Sequence, residues 1–571
     1  MKLLCITLLL FISLFSVSQP SIEWQRCLGG SGVDVSDNVY PISDGGFLVV
    51  GTTTSLDGDV SGNHGNGDVW VIKLASNGII EWQRCLGGSA NDQTPMNAHE
   101  VSDGGFVLIG TAYSTDGEVL GNHGNSDIWV IKLTSTGSIQ WQRCLGGANG
   151  EWLYYSTRQT VDGGFLITGT TGSDDGDVIG HHGSGDIWVV KIDSNGIIAW
   201  QRCLGGIGQE FGYNVQLTSD GGSIITGTTS SNDGDVSGHH GLGDIWVVKL
   251  SPSGSIEWQR CLGGSIHDGS VAETKQLGDG SFIVCATIGS NDGDVNGNHG
   301  LDDIWIVKLS SNGIIEWQRC LGGSNLEYGY YVHLIEDGSF IFTGTTASND
   351  GDVSGNHGNG DIWAVKLSST GYIQWQRCLG GISAETDFRR IRQTTDGGFL
   401  VSGSTSSNDG DVGGNHGSSD FWVVKLSAIG DIQWQRCFGG FYNEIFQQIQ
   451  LTNDGEIVLL GETNSIDGDV SGNHGNGDIW VVKLSTESSV SNLTTPNRFI
   501  HLYPNPASVS LKFELDISDI GTNYVLSDLM GNQVMSGKVI STTTTIAMMG
   551  IASGIYFLTT SNGHCARVVK E

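Results

Sequence analysis

Ile22-Glu23-Trp24-Gln25-Arg26-Cys27-Leu28 and Asp478-Ile479-Trp480-Val481-Val482-Lys483-Leu484 stand at opposite ends of one repeat array. Both words recur between them. Trp-Gln-Arg-Cys has its tryptophan at Trp24, Trp82, Trp141, Trp200, Trp258, Trp317, Trp375 and Trp434. The Asp-Ile-Trp type has its own at Trp70, Trp129, Trp188, Trp246, Trp305, Trp363, Trp422 and Trp480. Each occurs eight times, 58 or 59 residues apart. A short turn joins every Asp-Ile-Trp run to the Trp-Gln-Arg-Cys run that follows. The first Trp-Gln-Arg-Cys and the last Asp-Ile-Trp are therefore left without their partners, and two half-hairpins at opposite ends are what closing a ring requires.

The first full unit reads as four strands. Asn38 to Ile42 alternates, Ser43-Asp44-Gly45-Gly46 is a turn, and Phe47 to Thr53 is apolar and β-branched. A polar Gly-rich stretch from Ser55 to Gly67 leads to a strand at Val69 to Leu74. Ala75-Ser76-Asn77-Gly78 turns the chain into the last strand, Ile79 to Leu86. No helical period interrupts the unit. A four-stranded antiparallel sheet per repeat is a propeller blade, so the fold class is all-β, an eight-bladed β-propeller. An open solenoid would need atypical terminal repeats, and these are typical. Pairing of Ile22 to Leu28 with Ile479 to Leu484 closes the ring and removes a free edge. Trp-Gln-Arg-Cys is then outermost, and the run near Asn38 lines the axis. The tight turns fall on one face. The long Gly/Asp loop and the link after each Leu-Gly-Gly fall on the other, where binding is expected.

Gly is 88 of 571 residues and Pro only 7, with the glycine periodic and in turns, so the chain is not low-complexity disorder. The net charge of −34 argues against nucleic acid as a partner, because phosphates need Lys and Arg. Lys2, the apolar run Leu3 to Phe15 and the small residues Ser16-Val17-Ser18 read as a secretory signal over 1–18. That run is too short to span a membrane, and no other segment approaches spanning length. Eight of the eleven cysteines are the repeat positions Cys27, Cys85, Cys144, Cys203, Cys261, Cys320, Cys378 and Cys437. On the outer strands of successive blades they stand beyond the ~7 Å Cα limit for bridging, so they read as small buried hydrophobes.

Leu28-Gly29-Gly30-Ser31-Gly32, Asp44-Gly45-Gly46-Phe47, Gly51-Thr52-Thr53, Asp68-Val69-Trp70-Val71-Ile72-Lys73-Leu74 and Ser76-Asn77-Gly78 together resemble the bacterial β-propeller repeats of the SBBP type, over roughly residues 20 to 485. The Trp-Gln-Arg-Cys strand and the longer acidic loop depart from that pattern. The resemblance implies an exported or surface-located propeller and no common activity.

The acidic loop of the first unit, Asp57 to Asp68, places oxygen residues at positions 1, 3, 5 and 12 and Gly at 6, the spacing of a calcium loop. Candidate ligands there are Asp57, Asp59, Ser61 and Asp68. Their counterparts are Asp233, Asp235, Ser237 and Asp244; Asp292, Asp294, Asn296 and Asp303; Asp350, Asp352, Ser354 and Asp361; and Asp467, Asp469, Ser471 and Asp478. Position 5 is Leu120, Ile179 and Gly413 in three other units, which weakens the match. The competing reading is that these residues cap loop amides. The loop histidines, one per blade from His64 to His474, read as turn-stabilising.

The links after Leu-Gly-Gly vary most and several are aromatic. Candidate ligand-binding residues are Trp152, Tyr154, Tyr155, Phe211, Tyr213, Tyr328, Tyr330, Phe388, Arg389 and Tyr442. Aromatic platforms beside carboxylates suit a glycan or a surface protein; equally, such residues can plug the axis. No catalytic motif is present. The residues favour a binding or adhesion protein without enzyme activity. A polysaccharide-active enzyme and a purely structural surface protein are the alternatives.

Residues 488–497 are a polar linker after the propeller of 19–487. Beyond it, Leu502-Tyr503-Pro504-Asn505-Pro506, Tyr524-Val525-Leu526-Ser527-Asp528, Gly554-Ile555-Tyr556-Phe557-Leu558 and the basic end Ala566-Arg567-Val568-Val569-Lys570 indicate a small Ig-like β-sandwich over 498–571. These motifs closely resemble the C-terminal sorting domain of the type IX secretion system of the Bacteroidota. The resemblance implies that secretion machinery as a partner, passage through the periplasm, removal of the domain, and a cell-surface or secreted destination.

Overall fold

The computed structural model describes the chain except residues 1–18, 93–96, 387–390, 453, 486–500, 516–518, 529–532 and 561–564. The expected signal segment and the linker thus lie outside the described residues. The chain divides into two compact units, 1–487 and 488–571. No helix among the described residues is long and apolar enough to cross a membrane.

The first unit is an eight-bladed β-propeller. Blade 1 holds β2 (Asp34–Pro41), β3 (Phe47–Thr53), β4 (Asp68–Leu74) and β5 (Ile80–Leu86), antiparallel and in that order. Six further sheets repeat it, and in blade 7 the inner edge is split into Glu385–Thr386 and Ile391–Gln393. Blade 8 takes three strands from Glu444–Leu451, Ile457–Thr463 and Asp478–Leu484. Its fourth is β1 (Ile22–Leu28), which pairs antiparallel with Asp478–Leu484, Ile22 opposite Leu484 and Leu28 opposite Ile479. This is the pairing expected from the two orphan words. The innermost strand is longer than the alternating run suggested, Asp34–Pro41 rather than 38–42. A register shift between Ser36 and Asn38 breaks its alternation and hides its first half from a period-2 reading.

The strands form because their residues can be buried on both faces. β3 and the first five residues of β4 are fully buried, since each sheet is covered by a neighbouring sheet on either side. The core is therefore a series of layers between blades. Leu28, Val39, Phe47, Trp70 and Ile72 pack with Val458, Leu460, Ile479 and Val481, so blades 8 and 1 share a layer like any other pair. Inner strands are laced across the joints. Gln448 accepts from the Val39 amide at 3.0 Å, Glu273 from the Val332 amide at 3.1 Å, and His99 bonds Thr157 at 2.8 Å.

The outer strands are fixed by tryptophan. The indole of Trp70 donates to Gln83 Oε1 of the adjoining outer strand at 2.8 Å, and each blade repeats the pair. Trp24 lies edge-on to Phe47 at 5.8 Å and covers the turn at Gly78. Gly78 has φ +78°, and a Cβ there would stand 2.7 Å from the Trp24 ring. Both its handedness and its bareness are required. Nine cysteines, Cys285 and the eight repeat positions, are free and buried. Burial, helped by nearby carboxylates, pushes thiols such as Cys85 up to about 12, which keeps them inert.

The second unit packs a three-stranded sheet (His501–Tyr503, Ser510–Glu514, Thr543–Ala547) with a four-stranded one (Gln533–Lys538, Asn523–Ser527, Gly554–Thr560, Cys565–Lys570). Leu511, Phe513, Leu526, Leu558 and Val568 fill its core.

Candidate functional site

Two loops per blade build one face of the propeller, and side-chain caps dictate how each folds. In blade 1 the Asp57 carboxylate accepts from the Ser31 amide at 2.7 Å, and the Asp59 amide donates to Gly29 O at 2.8 Å. The acidic loop is thereby pinned to the link of its own blade, with Val60 turned inward and buried. Asn63 Nδ2 reaches back to Ser55 O at 3.0 Å. The Ser61 hydroxyl and carbonyl both receive Gln83 of the outer strand.

Every loop ends in a His-Asp pair. His64 Nδ1 lies 2.7 Å from Asp68 Oδ2, and the eight copies span 2.6 to 2.7 Å. The aspartates are fully buried. Burial raises the Asp68 carboxyl above the usual range although His64 opposes it. Burial works against a charged imidazole at His64, but Asp68 and the next blade's Glu118 hold its pKa above the ordinary value.

A second ring of acids sits beside the first: Asp34, Asp92, Glu151, Glu210, Asp268, Glu327, Glu385 and Glu444, all buried. Asp34 Oδ2 accepts from the Gly30 amide and the Ser55 hydroxyl, both at 2.8 Å, and Asp34 Oδ1 from Thr53. Burial pushes Glu385 up to about 7. The space between the rings explains the Leu-Gly-Gly word. A Cβ on Gly29 would stand 2.5 Å from Asp34 Oδ2 and 2.7 Å from Asp478 Oδ1. This second ring was missed from the sequence. Its signal is an acid five residues past the first glycine of each Leu-Gly-Gly or Phe-Gly-Gly, Asp in three units and Glu in five, which a search for one invariant letter passes over.

The spacing of a calcium loop is present, and its side chains make the following contacts. Asp57 faces the Ser31 amide, Ser61 faces Gln83, and Asp68 faces His64. The Asp233, Asp292, Asp350 and Asp467 loops cap in the same way on the links at Ile207, Ser265, Ser324 and Phe441. Their closing residues Asp244, Asp303, Asp361 and Asp478 pair with histidine. Of the third-position acids, Asp235 lies 3.2 Å from Arg202, Asp469 lies 3.5 Å from Arg436, and Asp294 lies 3.8 Å from His240. Ser237, Ser354 and Asn296 give their carbonyls to Gln259, Gln376 and Gln318, and Ser471 receives Gln25. Among the described residues no group of three or more His, Cys, Asp or Glu comes together to hold a metal ion.

The aromatic candidates divide. Trp152 is 43% exposed on the inner strand of blade 3, and Tyr442 is 55% exposed beside Phe441 in the link of blade 8, their rings 5.4 Å apart. Phe211, Tyr213 and Tyr328 are half-buried, and Tyr213 Oη lies 3.4 Å from Thr228 Oγ1 within its own blade. The side chains of Tyr154, Tyr155 and Tyr330, and all of Phe388 and Arg389, lie outside the described residues. Trp152 and Tyr442 stand on different blades, so the structure offers separate exposed rings on the loop-bearing face.

No curated protein matches the chain in sequence. Among solved structures it is similar to a protein of unknown function from Bacteroides caccae, at 13% identity over 54% of this chain and 89% of that one, TM-score 0.29. A protein of unknown function from Dyadobacter fermentans gives 11% identity, 61% and 98% coverage, and TM-score 0.31. The apocarotenoid oxygenase of Synechocystis gives 15%, 75% and 95%, and 0.36. At this level of likeness none of the three bears on chemistry. Residues 501–570 match the family described as secretion system C-terminal sorting domain. The second unit is thus a type IX secretion sorting domain, and the chain is exported cargo of that machinery, destined for the cell surface or the medium.

Proposed function

We propose that the propeller is a binding or adhesion module which works outside the cell without chemistry of its own. The observation that supports this is the contrast between repeated and unrepeated residues. Each repeated loop histidine pairs with one oxygen of its aspartate, and the acids beside them cap loop amides. Trp152, Phe441 and Tyr442 are exposed instead in segments that differ between blades. A surface of single aromatic side chains on a rigid scaffold suits recognition.

The test is adhesion of the purified full chain to glycan- and protein-coated surfaces. Trp152→Ala combined with Tyr442→Ala is expected to lower retention on the bound surface by ~10-fold, with the thermal midpoint unchanged because both side chains are exposed. Turnover of any glycan would replace this reading with the enzymatic one. Absence of binding to every surface would favour the structural one.

A further inference from the structure

The outer wall carries a second repeated feature, the seam where the outer strand of one blade meets the next blade. At three seams it is sewn shut by both its tryptophan and its arginine, and between blades 6 and 7 Trp375 donates to Ala428 O at 3.1 Å. Trp24 donates to Ser76 O at 3.0 Å and Arg26 to Gly78 O at 2.9 Å. Trp82 and Arg84 do the same with Ser135 and Gly137, and Trp258 and Arg260 with Ser311 and Gly313. Between blades 3 and 4, and between 7 and 8, the arginine instead reaches the next blade's acid, Arg202 to Asp235 and Arg436 to Asp469.

Two seams differ. Between blades 2 and 3, Arg143 turns back to Gln142 O at 2.9 Å. Between blades 5 and 6, Arg319 lies over the Tyr372 ring at 5.1 Å. The tryptophans there are turned as well. Trp141 and Trp317 present Cζ3 and Cη2 to the following turn glycine, where the other five indoles at such glycines present Cε3 first. Each of these two seams opens into a groove, of about 900 Å³ and about 460 Å³ respectively. The first is lined by Leu120, His123, Trp141, Arg143, Asp177 and Ile197 among others. All eleven residues lining the second occupy the same repeat positions as residues lining the first. The floor is shared, and the walls differ, with Leu120 and Ile197 replaced by Asn296 and Tyr372.

We infer that these two grooves are binding sites for a neutral glycan, one chain segment in each. This rests on the proposal that the propeller is a binding module, and it adds sites on the outer wall to the exposed rings of the loop-bearing face. A sugar ring needs an apolar face to lie on and planar polar groups at its edge. Trp141 with Ile197, and Tyr372 with Ile373, offer the first. Arg143 with Asp177, and Arg319 with Asp352, offer fork donors and a carboxylate acceptor. The net charge of −34 repels polyanionic chains and leaves uncharged ones as the fitting class. Two sites three blades apart also let one polymer be gripped twice, which raises retention without further contacts.

The test titrates the full chain with neutral cello-, manno- and xylo-oligosaccharides, read by calorimetry and tryptophan fluorescence. Two equivalents are expected to bind. Trp141→Ala with Arg143→Ala should remove one, and Arg319→Ala with Tyr372→Ala the other. Polymer retention should drop ~10-fold or more when both pairs are lost. Asp177→Asn keeps the shape of its groove and should weaken binding there with an unmoved thermal midpoint. Arg84→Ala, at a sewn seam, should leave the stoichiometry at two. Binding that survives all four groove substitutions but is lost with Trp152→Ala and Tyr442→Ala would overturn the groove assignment and keep the binding module. Adhesion to protein surfaces with no glycan bound would do the same. A chain that binds nothing would overturn both.

Discussion

Leu28→Ala tests how the ring is closed. Leu28 belongs to β1, is 1% exposed, lies opposite Ile479 in the ladder, and packs with Val39, Trp70 and Val481. Leu86 is its counterpart in β5, 2% exposed and opposite Val69. Truncating a buried leucine costs about 2–5 kcal/mol, transfer and cavity together. Unfolding entropy of roughly 2.1 cal/mol/K per residue gives about 1 kcal/mol/K for a propeller of roughly 470 residues. Each substitution should therefore lower the thermal midpoint by ~2–5 °C. The comparison carries the test. Leu86 is held in the middle of a continuous chain, whereas Leu28 is held only by a strand that arrives from the far end. Scanning calorimetry of Leu28→Ala and Leu86→Ala in the full chain should give shifts of the same size. A Leu28→Ala midpoint within ~0.5 °C of the parent, beside a normal Leu86→Ala loss, would mean that β1 does not bear load in blade 8, and the closed ring would have to be abandoned.

Other expectations follow from the loops and turns. Burial raises the carboxyls of Asp68, Asp127, Asp303, Asp361, Asp420 and Asp478, and places Glu385 at about 7; the partner carboxylates prevail over burial to raise His64, His123 and His474. Groups raised on folding add stability below their unfolded pKa and lose it as pH climbs through the folded one. The midpoint should thus rise on acidification from about pH 8 to about pH 5, and a fall over that window would contradict the assignment. His99, lowered to about 4, and His333, also lowered, oppose this within the window because burial disfavours their protonation, and Asp162, Asp220 and Asp279, lowered to about 2, oppose it only in strong acid. Gly78→Ala should cost about 1–3 kcal/mol through its left-handed backbone and the Trp24 ring, more than Gly62→Ala, where φ is +92° but nothing lies within 4 Å; equal losses would remove the role given to the ring contact. Chelator is expected to leave the midpoint unchanged, because Asp57 caps the Ser31 amide and Asp68 pairs with His64, and a marked fall would favour the calcium reading.

The fold was legible because its information is periodic. Two words at one spacing, with a half-hairpin left over at each end, yield strand order, blade number and the pairing of Ile22 to Leu28 with Ile479 to Leu484 before any contact is known. What escaped was local or relational. The bulge after Ser36 obscured half of β2, since alternation fails wherever a register shifts. Asp34 and its seven counterparts escaped because their role depends on the loop that folds over them. The acidic loop is a different case: Asp57, Ser61 and Asp68 have the calcium-loop spacing along the chain, and the structure turns them to Ser31, Gln83 and His64. The seam grooves were invisible for a further reason. Arg143 and Arg84 sit in the same word, and only the direction of the side chain distinguishes an open seam from a sewn one.

The way blade 8 is assembled also sets how the propeller responds to a pull. Ile22 faces Leu484, and just beyond them the Ser485 amide donates to Ser21 O at 2.8 Å while the two hydroxyls stand 3.0 Å apart. The incoming and outgoing ends of the chain therefore leave the sheet side by side. Tension between them would act on one rung at a time, Ser21 and Ser485 first and Leu28 with Ile479 last, as a zipper opens. Tension applied through the sorting-domain side alone, with the other end free, loads no rung of that zipper. A propeller tethered by one end would keep its ring under drag, whereas one tethered by both would open at this blade before any other.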